Sequence, residues 1–273
     1  METESIFDYI IVGAGSAGCV LANRLTASGQ HKVLLLEAGG EDKNFWVHIP
    51  LGYGKHFTNP KINWLYWSEP GKDWLKRKIR QPRGKIIGGT SSINGLVYMR
   101  GQKEDYDHWR QLGNTGWSYG DVLPYFKKSQ DQQRGADDYH GVGGPLAVSD
   151  PMDPHPMADA FIQAAQDVGY NRNDDFNGAT QEGFGYIQWT ARNGRRCSTA
   201  AGFLKPARNR SNLTVKANVL ANRVLFEGTK AVGVEYRQDR LVETVKVMGE
   251  VIVSIGAFNS PQLLQLSGIG PAE

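Results

Sequence analysis

The segment FDYIIVGAGSAGCVLANRL, followed closely by VLLLEAGG, limits what this chain can fold into more than any other feature. The apolar run Ile6–Val12 predicts a strand. It leads into a Gly-x-Gly-x-x-Gly turn at Gly13, Gly15 and Gly18, then into a helix with Val20, Leu21 and Leu25 on one side. A second apolar strand, Val33–Leu36, ends on Glu37. Each residue type has a separate task in such a unit. Gly13 permits the tight turn, Gly15 lets the backbone approach a pyrophosphate, and Gly18 lets the helix pack against the strand. The helix N-terminus, with Ser16 and Ala17 in its first turn, offers N–H groups and partial positive charge to phosphates. Glu37 stands 19 residues beyond Gly18, placed to accept hydrogen bonds from a ribose diol. A carboxylate there repels a 2′-phosphate, which argues against an NADP-type ligand. NAD and FAD proteins share this fingerprint, so the residues to this point leave the dinucleotide open.

Composition narrows the class further. The chain has 273 residues, 40% hydrophobic and 22% charged, as in soluble globular proteins. A net charge of +3 is too small to argue for nucleic acid. The two cysteines, Cys19 and Cys197, form no disulfide framework and suit a reducing cytoplasm. Cys19 reads as a buried small hydrophobe. The first residues, METESIFDY, lack a basic region and an apolar leader, and Ile6–Val12 is too short to span a bilayer. Peripheral membrane contact stays open.

Further along, Phe45–Trp67 is rich in aromatics, readable equally as a cavity wall or as packing. A basic stretch follows (Lys72, Lys76, Arg77, Lys78, Arg80, Arg83 and Lys85), mostly a solvated face. Residues 84–101, GKIIGGTSSINGLVYMRG, read either as a backbone nest or as a helix start capped by Ser91 or Ser92. Residues 103–130 predict helices, with Trp109, Leu112, Val122, Leu123, Tyr125 and Phe126 as core candidates. Residues 158–170 predict an amphipathic helix, and Ser198 opens a short one. From Asn212 onward the pattern is β: Leu213–Lys216, Arg223–Glu227, Ala231–Tyr236, Glu243–Val247 and a separate parallel strand, Val251–Ile255. Gly256 then turns the chain, and Ser260-Pro261 starts a helix with proline at its first position.

GKIIGGTSSINGLVYMRGQKEDYD and GAFNSPQLLQLSGIG resemble the two signatures of the glucose–methanol–choline (GMC) oxidoreductases, FAD-dependent enzymes that oxidise alcohols. The resemblance covers the whole chain, with GAGSAG…EAGG as the FAD fingerprint. NWLYWSEP, DDYHGVGGPL and GRRCSTAAGFL are most similar to choline dehydrogenases and related bacterial alcohol dehydrogenases. It implies an α/β fold: a Rossmann-like FAD-binding domain with a parallel sheet and β-meander, plus part of an inserted substrate lobe. The expected boundaries are 1–150 and 196–273 for the FAD domain and 151–195 for the lobe.

The resemblance also implies site residues. Gly13, Gly15, Ser16, Ala17 and Gly18 would hold the FAD pyrophosphate, and Glu37 and Ala38 the adenosine ribose. Thr90, Asn94, Gly95, Leu96 and Val97 would lie along the flavin half, and Ala221 would meet adenine through its backbone. Some members attach FAD to a histidine at the position of Ile93, so the flavin here is expected to be non-covalent. The implied partners are an alcohol (choline or another primary alcohol) and an electron acceptor: quinone, carrier protein or oxygen. The six histidines match none of the family's catalytic positions, and no two have metal-ligand spacing. No catalytic residue and no metal ligand is therefore expected here, and the base is expected in residues following SGIGPAE. Two other readings compete: an FAD-binding fragment without catalysis, and an NAD-dependent dehydrogenase. The latter leaves residues 84–101 and 256–270 without a purpose.

Overall fold

The computed structural model describes residues 6–72 and 75–271; the METES segment used in the leader reading lies outside them. The chain divides into two compact units, one of residues 1–94 and 198–273, the other of residues 95–197. Sequence reasoning placed the boundaries at 150/151 and 195/196.

The first unit opens with β1 (Ile6–Val12), α1 (Ser16–Leu25) and β2 (Val33–Leu36). A short helix, α2 (Phe45–His48), and a 3-10 stretch (Pro50–His56) take up the first part of the aromatic segment. The two-residue strands β3 (Tyr66–Trp67) and β4 (Arg80–Gln81) form a hairpin, and a 3-10 turn spans Gly89–Ser92. The second unit holds α3 (Lys103–Gln111), α4 (Tyr119–Ser129), β5 (Gln130–Gln132), β6 (Leu146–Val148), α5 (Pro156–Asp167), β7 (Ala191–Arg192) and β8 (Arg195–Arg196). The chain then returns through a π-turn (Ala200–Leu204) and α6 (Lys205–Ala207) to β9 (Leu213–Lys216), β10 (Val219–Glu227), β11 (Lys230–Gln238), β12 (Leu241–Val253) and α7 (Gly256–Leu266).

One six-stranded sheet, in the order β10-β11-β12-β1-β2-β9, organises the first unit. Its β12, β1, β2 and β9 run parallel, while β10, β11 and the start of β12 form an antiparallel meander. Ile10, Ile11, Leu34 and Leu35 are fully buried, as strands covered on both faces require. Two sequence expectations change here, and the packing of α1 is filled in. Glu243–Val247 and Val251–Ile255 are not separate strands: β12 runs unbroken, its first half paired with β11 and its second with β1. In α1, Gly18, Cys19, Ala22 and Asn23 are buried outright and Val20, Leu21 and Leu25 are half-buried, because small side chains let the helix lie close to its neighbours. The last helix begins at Gly256, which takes φ +84, and Pro261 lies inside it at the loss of one backbone hydrogen bond.

The second unit is held largely by buried polar groups. Arg100 donates to the Tyr139 carbonyl and to Gln130 Oε1, at 2.8 and 2.7 Å. His140, 2% exposed, lies 2.8 Å through Nε2 from Asp175 Oδ2, and Gln130 and Gln132 face its Nδ1. The Arg100 N–H donates to Asn177 Oδ1. These bonds tie residues 98–140 to residues 171–189, which is why the compact unit starts near residue 95. The expected core positions on α3 and α4 are not buried: Trp109 is 46%, Leu112 67% and Tyr125 71% exposed, and Val122, Leu123 and Phe126 are half-buried. The spacing fits a helix face, yet neither helix buries a residue.

Candidate cofactor site

The site is built from backbone, so its geometry follows from where glycines allow close approach. Gly13 takes φ +98 and donates to the Leu36 carbonyl, turning the chain out of β1. A methyl group at Gly13 would lie 2.7 Å from the Ser254 carbonyl oxygen, and one at Gly18 would overlap the Gly13 carbonyl oxygen. Gly13 and Gly18 thus have the roles read from their spacing. Gly15 differs. A methyl there would meet only the Ser254 carbonyl, at 3.8 Å, so the space in front of it is open to a ligand.

Gly15 is also the N-cap of α1, and no side chain caps it. The first turn carries no acid, and Ser16 and Ala17 are exposed. A ten-residue helix with its N-terminus unsatisfied by its own side chains is a ready anion site. The glycine loop therefore fits a dinucleotide pyrophosphate.

The 84–92 segment packs directly onto this loop. The Gly88 N–H donates to the Ala14 carbonyl at 2.7 Å, and a methyl at Gly89 would stand 2.7 Å from Gly15 Cα. Gly88 and Gly89 have φ +89 and +54, a pair of left-handed residues that glycine adopts without strain. Neither serine caps the turn; Ser91 Oγ donates to the Gly88 carbonyl and Ser92 Oγ to the Ile87 carbonyl. Thr90 is exposed, and its Oγ1 accepts from the Gly84 N–H at 3.1 Å. Asn94 donates through its N–H to the Thr90 carbonyl. Ile93 is 1% exposed hydrocarbon and offers no atom for a covalent flavin link.

Glu37 is 6% exposed at the end of β2. Its Oε2 accepts from the Ala14 N–H at 2.9 Å and its Oε1 from the Gly39 N–H at 2.8 Å, which locks the carboxylate beside the glycine loop. Burial raises its pKa from 4.5 to about 7, against the lowering effect of these amides and of Lys85. Ala38 beside it is half-buried. Ala221 lies in β10 opposite Tyr236, just before a register shift. Gly95, Leu96 and Val97 stand in the second unit, where Leu96 is buried at φ +64 and Val97 pairs with Trp189.

Sequence reasoning passed over Ser254. Its Oγ donates to the carbonyls of Val12 and Gly13 at 3.0 and 2.9 Å, clamping the end of β1 to β12. The available signal was a hydroxyl interrupting the apolar run VIVSI. Cys19 is the buried hydrophobe expected, and burial pushes its thiol up to about 12. The Asp137, His140 and Asp175 side chains converge, but their atoms are spent on hydrogen bonds: Asp137 Oδ1 accepts from the Tyr139 and His140 N–H groups, and Asp175 Oδ2 pairs with His140.

The GMC oxidoreductase family model matches residues 7–273. This chain belongs to the GMC oxidoreductases. It is 47% identical to mitochondrial choline dehydrogenase of Mus musculus over 274 residues, covering 98% of this chain and 46% of that protein. It is 47% identical to an alcohol dehydrogenase [acceptor] of Pseudomonas putida over 270 residues, covering 98% of this chain and 49% of that one. Among solved structures, pyridoxine 4-oxidase from "Mesorbium loti" superposes with a TM-score of 0.93 at 34% identity, covering 97% of this chain and 52% of its own. The chain spans about half the length of the curated relatives it matches. FAD, the cofactor expected from the resemblance, is that of the family, and the mixed α/β fold with its mostly parallel sheet is the expected one. Among the described residues, no helix is long and apolar enough to cross a membrane.

Proposed function

We propose that this chain is the FAD-holding part of an oxidoreductase that converts choline or another primary alcohol to its aldehyde. The observation that carries the reading is the uncapped, acid-free N-terminus of α1 at Gly15, next to the buried Glu37 carboxylate. In this reading Gly13, Gly15, Ser16, Ala17 and Gly18 hold the pyrophosphate through backbone N–H groups. Glu37 and Ala38 hold the adenosine ribose, and the Ala221 backbone meets adenine. Thr90, Asn94, Gly95, Leu96 and Val97 line the flavin half. FAD supplies the hydride acceptor when bound. The protein's part is to fix that cofactor rigidly: the Gly88 bond to Ala14 and the Ser254 bonds to Val12 and Gly13 remove freedom from the loop that carries it.

The electron acceptor is a quinone, a carrier protein or oxygen. A reducing compartment such as the cytoplasm is supported by two buried, unpaired cysteines. The second reading, cofactor binding without turnover, draws on one observation: none of the histidines stands at a position where the family places its base. An anaerobic absorbance spectrum of the chain with FAD, before and after choline and a panel of primary alcohols, tests both. Bound flavin that stays oxidised is expected of this chain, with the base supplied by residues outside it. Failure to bind FAD would overturn the proposal, and bleaching by an alcohol would place the base within these residues.

A further inference from the structure

The chain contains three Asn-Gly pairs, Asn94-Gly95, Asn177-Gly178 and Asn193-Gly194, and the fold gives each different surroundings. Asn-Gly is the dipeptide most prone to lose ammonia, because glycine has no side chain to keep its amide nitrogen away from the asparagine carboxamide. Asn177 is 5% exposed and fully engaged. Its Oδ1 accepts from the Arg100 N–H at 2.7 Å, its Nδ2 donates to the Tyr98 carbonyl at 3.1 Å, and the Gly178 N–H donates to the Asp175 carbonyl. Asn94 is half-buried, and its N–H donates to the Thr90 carbonyl at 2.9 Å.

Asn193 and Gly194 are the two turn residues of the β7–β8 hairpin, which pairs Ala191 with Arg196 and Arg192 with Arg195. Both take left-handed conformations, φ +50 and +71, the pattern that lets a two-residue turn follow the twist of its strands. Both are exposed, and among the described residues neither the Asn193 carboxamide nor the Gly194 N–H makes a hydrogen bond. Arg195 beside them is exposed and, among the described residues, makes no ion pair. Its charge favours the anion formed when the Gly194 N–H gives up its proton. A hairpin with two-residue strands opens readily, which frees Asn193 to reach the geometry of ring closure.

We infer that Asn193-Gly194 is a site of spontaneous deamidation in this protein. Hydroxide removes the Gly194 amide proton, and the nitrogen attacks Asn193 Cγ. A new C–N bond closes a succinimide ring, and the carboxamide nitrogen leaves as ammonia with a proton from water. Water then opens the ring at either carbonyl, giving aspartate or isoaspartate at position 193, with no change of oxidation state. Either product places a negative charge beside Arg192 and Arg195. Isoaspartate also reroutes the backbone through the side-chain carbon and lengthens a turn that fits only two residues. The Arg192–Arg195 pairing, and the 2.6 Å ion pair of Arg192 with Asp131 next to it, should then be lost.

The test incubates the folded chain, with FAD present, in mildly alkaline buffer and follows its chymotryptic peptides by mass spectrometry. Labelling by isoaspartyl methyltransferase identifies the isoaspartate. The peptide carrying Asn193 should exchange its carboxamide for a carboxylate at least about tenfold faster than the one carrying Asn177, whose hydrogen bonds must open first. It should also convert faster than the one carrying Asn94. In urea the three rates should converge, which separates the effect of the fold from that of the dipeptide. Gly194→Ala should slow conversion at 193 by about tenfold or more, because a side chain at 194 crowds the attacking nitrogen. Asn193→Gly keeps a residue suited to the turn and should leave this peptide unlabelled, with an unchanged circular dichroism spectrum. Asn193 intact in the folded chain after the unfolded chain has converted would overturn the inference. So would Asn177 converting as fast as Asn193 in the folded chain, or Gly194→Ala converting as fast as the parent.

Discussion

Replacing Glu37 by glutamine separates the two effects that meet at this carboxylate. Burial raises its pKa from 4.5 to about 7, so in the cofactor-free chain the folded state holds a proton that the unfolded state releases between those values. Its contribution to stability is therefore fully present below pH 4.5 and lost as pH rises through about 7. The slope is about 1.4 kcal/mol per pH unit across the window, and the whole loss is of the order of 3 kcal/mol. Glutamine cannot titrate, so Glu37→Gln should remove this pH dependence. It adds a fixed cost of about 1–3 kcal/mol, because its amide nitrogen would face one of the two N–H groups, Ala14 or Gly39, that now donate to the carboxylate. Urea denaturation of the cofactor-free parent and variant at pH 5 and pH 8 measures both. The stability gap between them should shrink toward pH 8, as the parent loses what the variant never had. On the proposal that ribose hydroxyls donate to the charged carboxylate, FAD should reverse the trend in the parent, its affinity climbing as pH passes 7. A gap that stays constant from pH 5 to pH 8 would refute the claim that burial controls this group.

Other outcomes follow from the same geometry. Gly18→Ala places a methyl group onto the Gly13 carbonyl and should cost about 1–3 kcal/mol or more, measured by thermal unfolding, and weaken FAD binding with it. Ser254→Ala removes the one hydroxyl proton that the Val12 and Gly13 carbonyls share and should cost about 1 kcal/mol with little local rearrangement. The buried thiols of Cys19 and Cys197 should react with Ellman's reagent only on unfolding; rapid labelling of Cys19 in the folded chain would contradict its burial. His140→Ala should leave Gln130, Gln132 and Asp175 without their shared partner and lower the stability of the second unit by about 1–3 kcal/mol, read by hydrogen exchange in residues 130–189.

The strand, glycine turn and helix at the start of the chain were legible because their signals are local: each glycine's role follows from its spacing to one neighbouring element. What depends on tertiary packing was not. The fully buried residues of α1 are small or polar, and an apolar count that lands on the half-buried Val20, Leu21 and Leu25 does not single them out. Trp109, Leu112 and Tyr125 have helical spacing but are exposed, since periodicity gives a face and not what covers it. Proline at 261 suggested a helix start, whereas the helix begins at Gly256 and absorbs the lost bond. In the second unit, Gln132 meets Gln188 and His140 meets Asp175 across 56 and 35 residues of sequence, and no spacing rule connects them. The contact between Gly88-Gly89 and the glycine loop was not visible: the segment read as a backbone nest or a capped helix start, and only the fold shows that Gly89 approaches Gly15.

The central claim is that the open N-terminus of α1 holds the FAD pyrophosphate, and a fluorescence titration of FAD tests it most directly. The parent chain should quench flavin emission on binding, with ADP competing and riboflavin binding far more weakly. Ser16→Glu, an exposed substitution that places a carboxylate in the first turn of α1, should abolish binding while leaving the fold intact. Equal affinity of parent and Ser16→Glu for FAD, or riboflavin binding as tightly as FAD, would contradict it.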